Sequence, residues 1–130
     1  ILRQENLDIL REALLMVTEN KRGTATFNLR GLQFKVAGKT GTAESGNGKS
    51  HAWFAGYTLN EENTSLPDIA IAVIVENIGE GSEYAVPLFR AMVESYYYGS
   101  PQRPYYDWGQ IGYPPYTPTP FGIPAPTDEN

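Results

Sequence analysis

The sequence predicts an α+β domain in which helices pack on an antiparallel sheet of three strands. Two segments with apolar residues at helical spacing enclose three segments with strand character, and turns containing Gly, Asn or Pro separate the strands. Of the 10 prolines, eight follow residue 98. Because proline removes a backbone donor and fixes φ, we predict a folded part at residues 1–98 and an extended or disordered Pro- and Tyr-rich tail at residues 99–130.

The first helix is predicted from Asn6 to about Asn20. Asn6 is a favourable N-cap residue, and Asp8 lies in the first turn, where the helix dipole stabilises negative charge. The segment Lys21–Gly23 marks the C-terminal end. The predicted apolar stripe of this helix consists of Leu7, Leu10, Leu14, Leu15 and Thr18.

Three strands are predicted after this helix, at Gln33–Glu44, Ser50–Leu59 and Asp68–Asn77. Residues 45–49 contain two glycines and predict a hairpin loop between the first two strands. Both alternating faces of the third strand are apolar. Since that pattern is typical of a strand buried on both faces, we expect the third strand to lie centrally in its sheet.

The last helix is predicted to follow Ser82, which is a suitable cap, and to close at Tyr96–Tyr98. Pro87 falls near its first turn, where proline is tolerated. The predicted inner face of this helix consists of Leu88, Phe89, Met92, Val93 and Tyr96.

Composition excludes several functions. The net charge of −5 argues against a nucleic-acid binder. One histidine and no cysteine exclude a Cys/His zinc site, a disulfide and a cysteine nucleophile. The longest apolar run, Ile69–Val75, is far shorter than the roughly 20 residues of a membrane helix. Since the chain begins with Ile1 and shows no signal-peptide pattern, we expect it to be a piece of a longer protein.

Candidate chemistry is concentrated in the segment Ala37–Glu44. Its Gly-Lys-Thr at residues 38–40 does not complete a phosphate-binding P-loop, because Gln33 stands where the first glycine of that motif would be. The residues between Gln33 and Gly38 have strand character instead of being rich in glycine. We therefore interpret the segment as part of the first predicted strand.

On a strand, Lys39 and Gly41 share one face, and the two threonines that follow them share the other. A cation, hydroxyls and a free backbone N–H at a strand edge suit the binding of a carboxylate and the stabilisation of an oxyanion. Gly38 and Gly41 would let a ligand lie against the strand. Residue types alone leave open the alternative of an exposed lysine among turn-forming glycines and β-prone threonines.

Four blocks carry a resemblance: Arg22–Ala25, Val36–Glu44, His51–Tyr57 and Val75–Gly81. In this order they resemble the end of the transpeptidase domain of class B penicillin-binding proteins, especially the penicillin-binding protein 2-like D,D-transpeptidases. The resemblance covers residues 5–98, and K-T-G is a known motif of penicillin-binding proteins. It implies the C-terminal part of the penicillin-binding and serine β-lactamase-like fold, an antiparallel sheet packed with helices.

The resemblance also implies residue roles. Lys39 would be catalytic, orienting the substrate and supporting proton movement around the nucleophile. Thr42 would be catalytic through its backbone N–H, which would donate into an oxyanion hole. The substrate-binding set would be Lys39, Thr40, Gly41 and Thr42, with the threonine hydroxyls on the terminal carboxylate of a D-Ala-D-Ala stem peptide or of a β-lactam. The implied acyl transfer uses no metal and no cofactor.

One part of the family pattern is missing from the sequence. None of the six serines is followed three residues later by lysine, so the chain has no S-x-x-K motif. Ser45-Gly46-Asn47 matches S-x-N in its letters but follows Lys39, whereas the family motif precedes it, and we interpret it as a turn. The resemblance therefore places the nucleophile and the second motif upstream of Ile1, in the remainder of the same polypeptide. It also places two further strands there, the first of which would pair with the strand at Ile69–Val75.

The resemblance further implies peptidoglycan synthesis, a part in cell shape and a place at the extracytoplasmic face of the cell membrane, with the anchor outside this chain. It leaves room for a glycosyltransferase partner. Two other functions stay open: a β-lactam-sensing domain without transferase turnover, and a truncated, non-catalytic remnant with an interaction tail. P-x-x-P matches at Pro101–Pro104 and Pro115–Pro118 are weak signals for such a tail. His51 could reach the rim of the cleft, and we expect Trp53 and Tyr57 in the core or the cleft wall.

Overall fold

The computed structural model describes residues 2–46, 48–60 and 66–103. It confirms the predicted α+β class, with helices packed on one antiparallel three-stranded sheet. From residue 104 onward the predicted tail lies outside the described residues, and its conformation stays a prediction. The elements are α1 Gln4–Glu19, α2 Thr26–Leu29, β1 Lys35–Glu44, β2 Ser50–Leu59, β3 Ala70–Val75 and α3 Ala85–Tyr98.

The sheet has the strand order β1-β2-β3, and both neighbouring pairs are antiparallel. β1 and β2 form the predicted hairpin, with an unbroken register that ends at Glu44 opposite Ser50. In the connecting loop the Gly48 N–H donates to the Ser45 carbonyl oxygen at 3.1 Å. Gly48 has a φ of +81°, a left-handed conformation that glycine adopts without strain.

β3 pairs only with β2 among the described residues, so it lies at an edge of the described sheet, and its central place in the intact sheet stays a prediction. Val73 is buried on the face that contacts α3. On the opposite face Ile74 lies directly across from Trp53, and these side chains are 44% and 40% exposed. The described residues therefore cover one face of β3 and leave the other, apolar face exposed.

Two glycines make room for a buried aromatic ring. A Cβ at Gly38 would lie 2.5 Å from the Phe54 ring, and one at Gly56 would lie 2.8 Å from it. Phe54 is fully buried and packs edge-on against Phe89, with 4.7 Å between the ring centroids. The prediction that Gly38 leaves space for a ligand is therefore wrong, because the hydrophobic core takes that space.

α1 begins two residues before its predicted start. Arg3 occupies the N-cap position without a side-chain hydrogen bond, whereas the predicted cap, Asn6, lies inside the first turn. The C-terminal half of the helix carries the packing, because Thr18 is buried and its hydroxyl reaches the Val36 carbonyl oxygen in β1. Leu7 and the other residues near the start of the predicted stripe are exposed.

The buried face of α3 is rotated from the predicted one. Phe89 and Val93 are buried as predicted, whereas Met92 and Tyr96 are exposed. Tyr97 is buried instead, and its hydroxyl donates to a backbone carbonyl oxygen at 3.0 Å. Burial raises the pKa of Tyr97 above its ordinary value, which keeps this hydroxyl protonated and able to donate.

The start and end of α3 also differ in how they are capped. No side chain caps its N-terminus at Tyr84, so Ser82 lies before the helix without the predicted capping role. At the other end Gly99 has a φ of +80° and its N–H bonds to the Ser95 carbonyl oxygen at 3.0 Å. A glycine in the left-handed region is a common helix C-cap.

The buried face of α3 also carries an ion pair. The Arg90 Nε donates to Glu94 Oε1 at 2.7 Å, and the side chains are only 8% and 2% exposed. The same guanidinium donates through Nη1 to the carbonyl oxygens of Asn28 and Arg30, each at 2.8 Å. The second Glu94 oxygen accepts from the Gln102 N–H at 2.7 Å. The pair therefore fastens the α2 region and the residues after α3 to one helix.

Candidate functional site

The outer edge of β1, on the side away from β2, presents backbone groups of the motif. The Thr58 N–H donates to the Ile69 carbonyl oxygen at 3.0 Å, and the Val36 carbonyl oxygen meets a hydroxyl of α1. The pair of Val36 and Thr58 therefore exchanges no backbone hydrogen bonds across β1 and β2. Along an antiparallel ladder, pairs that exchange backbone hydrogen bonds alternate with pairs that do not. Thr40 and Thr42 lie four and six residues after Val36, so their pairs with β2 also exchange none. Their N–H and C=O groups point to the outer edge.

The Lys39 ammonium lies at this same edge. Its side chain starts on the face opposite to that of Thr40, but its Nζ donates to the Thr40 carbonyl oxygen at 2.7 Å. Since that carbonyl points outward, the ammonium reaches the edge to which the Thr42 N–H also points. Gly41 belongs to the alternate class of pair, and its backbone faces Trp53 in β2. The structure therefore brings Lys39 and Thr42 together at one edge and leaves Gly41 inside the ladder.

The two threonine hydroxyls have partners of different charge. Thr40 Oγ1 lies 2.8 Å from Thr24 Oγ1, and either hydroxyl could donate. Thr42 Oγ1 donates to Glu80 Oε2 at 2.6 Å, which is a hydrogen bond to a carboxylate. Thr24 lies in the turn before α2, and Glu80 lies in the turn before α3. The site is therefore built from one strand and two turns.

Gly81 holds the second of these turns against the sheet. A Cβ at Gly81 would lie 2.5 Å from the Gly41 carbonyl oxygen and would also collide with the Trp53 carbonyl oxygen. The Gly81 carbonyl oxygen accepts the N–H groups of the first two residues of α3, both at 3.0 Å. The backbone next to Glu80 is consequently fixed beside β1.

We expect Gly81→Ala to lower the free energy of unfolding by about 1–3 kcal/mol, because the new methyl group forces the turn away from β1. Urea denaturation of the full-length protein measures this change. Gly46→Ala is the matched control, since a Cβ there meets no atom within 4 Å, and we expect a change within about 0.5 kcal/mol. Equal effects of the two substitutions would contradict the close approach of Gly81 to the sheet.

His51 takes part in a turn. Its Nδ1 accepts a hydrogen bond from the Asn77 N–H at 3.0 Å, and Asn77 has a φ of +57°. This contact gives His51 a structural role at the turn after β3. Trp53 lies on the exposed face of the sheet and Tyr57 is half-buried, so neither belongs to the core cluster.

The comparisons with known proteins agree with this architecture. The family model described as "Penicillin binding protein transpeptidase domain" matches residues 2–94. The chain belongs to this family. The resemblance predicted from the four sequence blocks is thereby confirmed.

Among curated proteins, this transpeptidase-family chain is similar to the peptidoglycan D,D-transpeptidase MrdA of Haemophilus influenzae (strain ATCC 51907 / DSM 11121 / KW20 / Rd). The two are 29% identical over 101 residues, which cover 66% of this chain and 15% of MrdA. The chain thus spans a small part of that relative's length. No solved structure matches this chain.

Two further properties concern the part of the transpeptidase-family chain that the structure describes. Residues 2–46, 48–60 and 66–103 contain no group of three or more His, Cys, Asp or Glu side chains placed to hold a metal ion. Over the same residues, no helix combines the length and the apolar character needed to cross a membrane.

Proposed function

We propose that this chain supplies the Lys39-Thr40-Gly41 strand of a serine-type D,D-transpeptidase of peptidoglycan synthesis. The observation that carries the proposal is the outer edge of β1, to which the Lys39 ammonium and the Thr42 N–H are both directed. The nucleophilic serine and its lysine base would come from the remainder of the same polypeptide. Two findings support that division: the sequence has no S-x-x-K motif, and the chain covers 15% of MrdA.

The proposed reaction consists of two acyl transfers. In the first, the serine oxygen attacks the carbonyl carbon of the penultimate D-Ala, an ester forms, the peptide bond breaks, and the terminal D-Ala leaves as an amine that has taken up a proton. In the second, an amine of a neighbouring stem peptide attacks the ester. A new amide bond forms and the serine recovers its proton. Atoms and electrons balance without a metal, an oxidant or a cofactor.

In this reaction the backbone of Thr42 would act on the transition state. Its outward N–H would donate to the carbonyl oxygen of the scissile bond when negative charge develops there. Loss of one such donor in other enzymes costs roughly 10²–10³ in rate. The N–H belongs to the backbone of a strand with an unbroken ten-residue register, so the donor needs little reorganisation during the reaction.

The side chains of the motif would bind and orient the substrate. The Lys39 ammonium would attract the terminal carboxylate and stabilise the proton transfers around the serine. Thr40 would donate its hydroxyl proton to the substrate carboxylate while it accepts from Thr24, which lies 2.8 Å away. The same contacts would serve the carboxylate of a β-lactam.

The wider setting is part of the same proposal. The substrates would be D-Ala-D-Ala stem peptides, and β-lactams would be inhibitors that mimic them. The intact protein would act at the extracytoplasmic face of the cell membrane in cell-wall synthesis and cell shape, together with a glycosyltransferase. The similarity to MrdA, which is named a peptidoglycan D,D-transpeptidase, supports the reaction class.

Incubation of the full-length protein with a β-lactam tests the proposal. We expect its intact mass to increase by the mass of the β-lactam, with the adduct on a serine outside these 130 residues. The 130-residue chain alone serves as the control and is expected to show no increase, because it carries no activated serine. An adduct within this chain, or no adduct on the full-length protein, would contradict the proposal.

A transfer assay separates the enzyme from a β-lactam sensor. With a D-Ala-D-Ala donor and an amine acceptor, we expect release of D-Ala and formation of a new amide. Acylation by the β-lactam without any transfer product would favour the sensing domain instead.

A further inference from the structure

The Glu80 carboxylate accepts the hydrogen bond of the Thr42 hydroxyl, which the proposed substrate would also use. Thr42 Oγ1 donates to Glu80 Oε2 at 2.6 Å. A threonine hydroxyl has one proton, so while it is donated to Glu80 it cannot be donated to a ligand carboxylate. A ligand carboxylate at Thr42 would also stand next to a second negative charge.

The contact joins two distant parts of the chain and depends on a fixed turn. The partners are 38 residues apart in sequence. The Glu80 carbonyl oxygen accepts from the N–H groups of Glu83 and Tyr84, at 3.1 and 3.2 Å. Together with the close packing of Gly81 on the sheet, these bonds hold the Glu80 backbone beside β1. The Glu80 side chain is exposed, so it can swing away when a ligand takes its place.

Thr40 provides an internal comparison. Its partner is the neutral hydroxyl of Thr24, which can donate to Thr40 and leave the Thr40 proton for a ligand. Thr42 must instead break a hydrogen bond to a carboxylate before it can donate elsewhere. Charge-assisted bonds of this kind are stronger than neutral ones. The Thr40 hydroxyl can therefore donate to a ligand more readily than the Thr42 hydroxyl, and the Glu80 carboxylate causes this difference.

We propose that Glu80 is a specificity-determining residue that competes with the substrate carboxylate for the Thr42 hydroxyl. It lowers the affinity of the site for ligands that end in a carboxylate more than for ligands that end in a neutral group, because only the carboxylate is also repelled by the Glu80 charge. It thereby sets how strongly the site distinguishes a free C-terminus from an amidated one.

Glu80→Gln tests this role because it removes the charge and keeps the size and one acceptor oxygen. The probes are N-acetyl-D-Ala-D-Ala and its C-terminal amide, titrated into the full-length protein while the NMR signal of the Thr42 methyl group is followed. We expect the acid to bind about two- to fivefold more tightly to the variant, in line with the energy of exposed charge pairs, and the amide to gain less. The ratio of the variant's affinity for the acid to that of wild type should fall toward one at 1 M salt, where the Debye length is about 3 Å.

Two further variants make the result specific. Glu83→Gln removes the same charge three residues away in the same turn, and we expect no change for either probe. Glu80→Ala removes the charge without adding an amide donor, and we expect the same preference for the acid as with Glu80→Gln. A gain in Glu80→Gln alone, or an equal gain in Glu83→Gln, would overturn the competition.

Because this inference rests on the proposed function, acylation of the wild-type protein by a β-lactam is measured in parallel. If wild type is acylated and the variants bind the acid no better, the role of Glu80 is wrong and the transpeptidase proposal stands. If wild type is not acylated but Glu80→Gln gains more affinity for the acid than for the amide, the role of Glu80 stands as that of a carboxylate site and the transpeptidase proposal falls. If neither effect appears, both are wrong.

Discussion

Replacing Glu94 by alanine is expected to lower the free energy of unfolding by about 3–5 kcal/mol. The substitution leaves the Arg90 guanidinium buried without its counter-charge, because the pair is less than one-tenth exposed. The Gln102 N–H also loses its acceptor. The shift of the urea midpoint of the full-length protein measures the total change. Faster hydrogen exchange at the Gln102 amide would show that the residues after α3 have come loose.

Two comparisons show whether burial and charge cause this effect. Glu5→Ala removes the same residue type from an ion pair with Arg3, whose side chains are 65% and 81% exposed, and we expect a loss below about 0.5 kcal/mol. The double variant Arg90→Met with Glu94→Leu leaves no buried charge, so we expect it to be more stable than Glu94→Ala alone. If the double variant were no more stable than Glu94→Ala, the uncompensated charge of Arg90 would not be the cause of the loss.

The fold was largely predictable from apolar patterning, and the errors have physical causes. β2 has the bounds that alternation and the flanking turns predicted, because its length and both turns are local signals. The buried face of α3 was misassigned because a count of apolar residues excludes Arg90 and Glu94. These two charged side chains are buried because they form an ion pair with each other. β3 was predicted to be central from its two apolar faces, and that position stays a prediction, because its described neighbours are β2 and α3 and the resemblance places its second partner strand outside this chain.

At the candidate site, the sequence motif could be predicted, but the directions of its backbone groups and the contacts of its side chains could not. The letters at residues 39–42 identified the strand, and the alternation of side chains along it was foreseeable. Which N–H groups face outward depends on the pairing class, which was visible only from the bonds of Val36 and Thr58. The contacts of Thr24 and Glu80 were missed because they come from turns that fold back from elsewhere in the chain. The signal available in the sequence was that the Thr24 hydroxyl and the Glu80 carboxylate each lie in a turn next to a glycine.

Replacing Lys39 by alanine is expected to lower the rate of acylation of the full-length protein by a β-lactam about 10²–10⁴-fold. The ammonium is held at the outer edge of β1 by its bond to the Thr40 carbonyl oxygen, at the edge to which the Thr42 N–H also points. In the proposed reaction its removal would take away both the attraction for the ligand carboxylate and the support for proton transfer. Stopped-flow or mass-resolved acylation kinetics give the second-order rate constant.

Lys35→Ala is the matched control for this loss. Lys35 is exposed on the same strand and, four residues earlier, on the same face, so the substitution removes an equal charge from β1 away from the motif. We expect its acylation rate to stay within about twofold of wild type, because exposed charges at this separation are largely screened. Lys39→Arg keeps the charge but replaces the compact ammonium by a planar guanidinium, and we expect an intermediate rate. A similar loss in Lys35→Ala would mean that net charge on the strand, and not the position of the Lys39 ammonium, sets the rate.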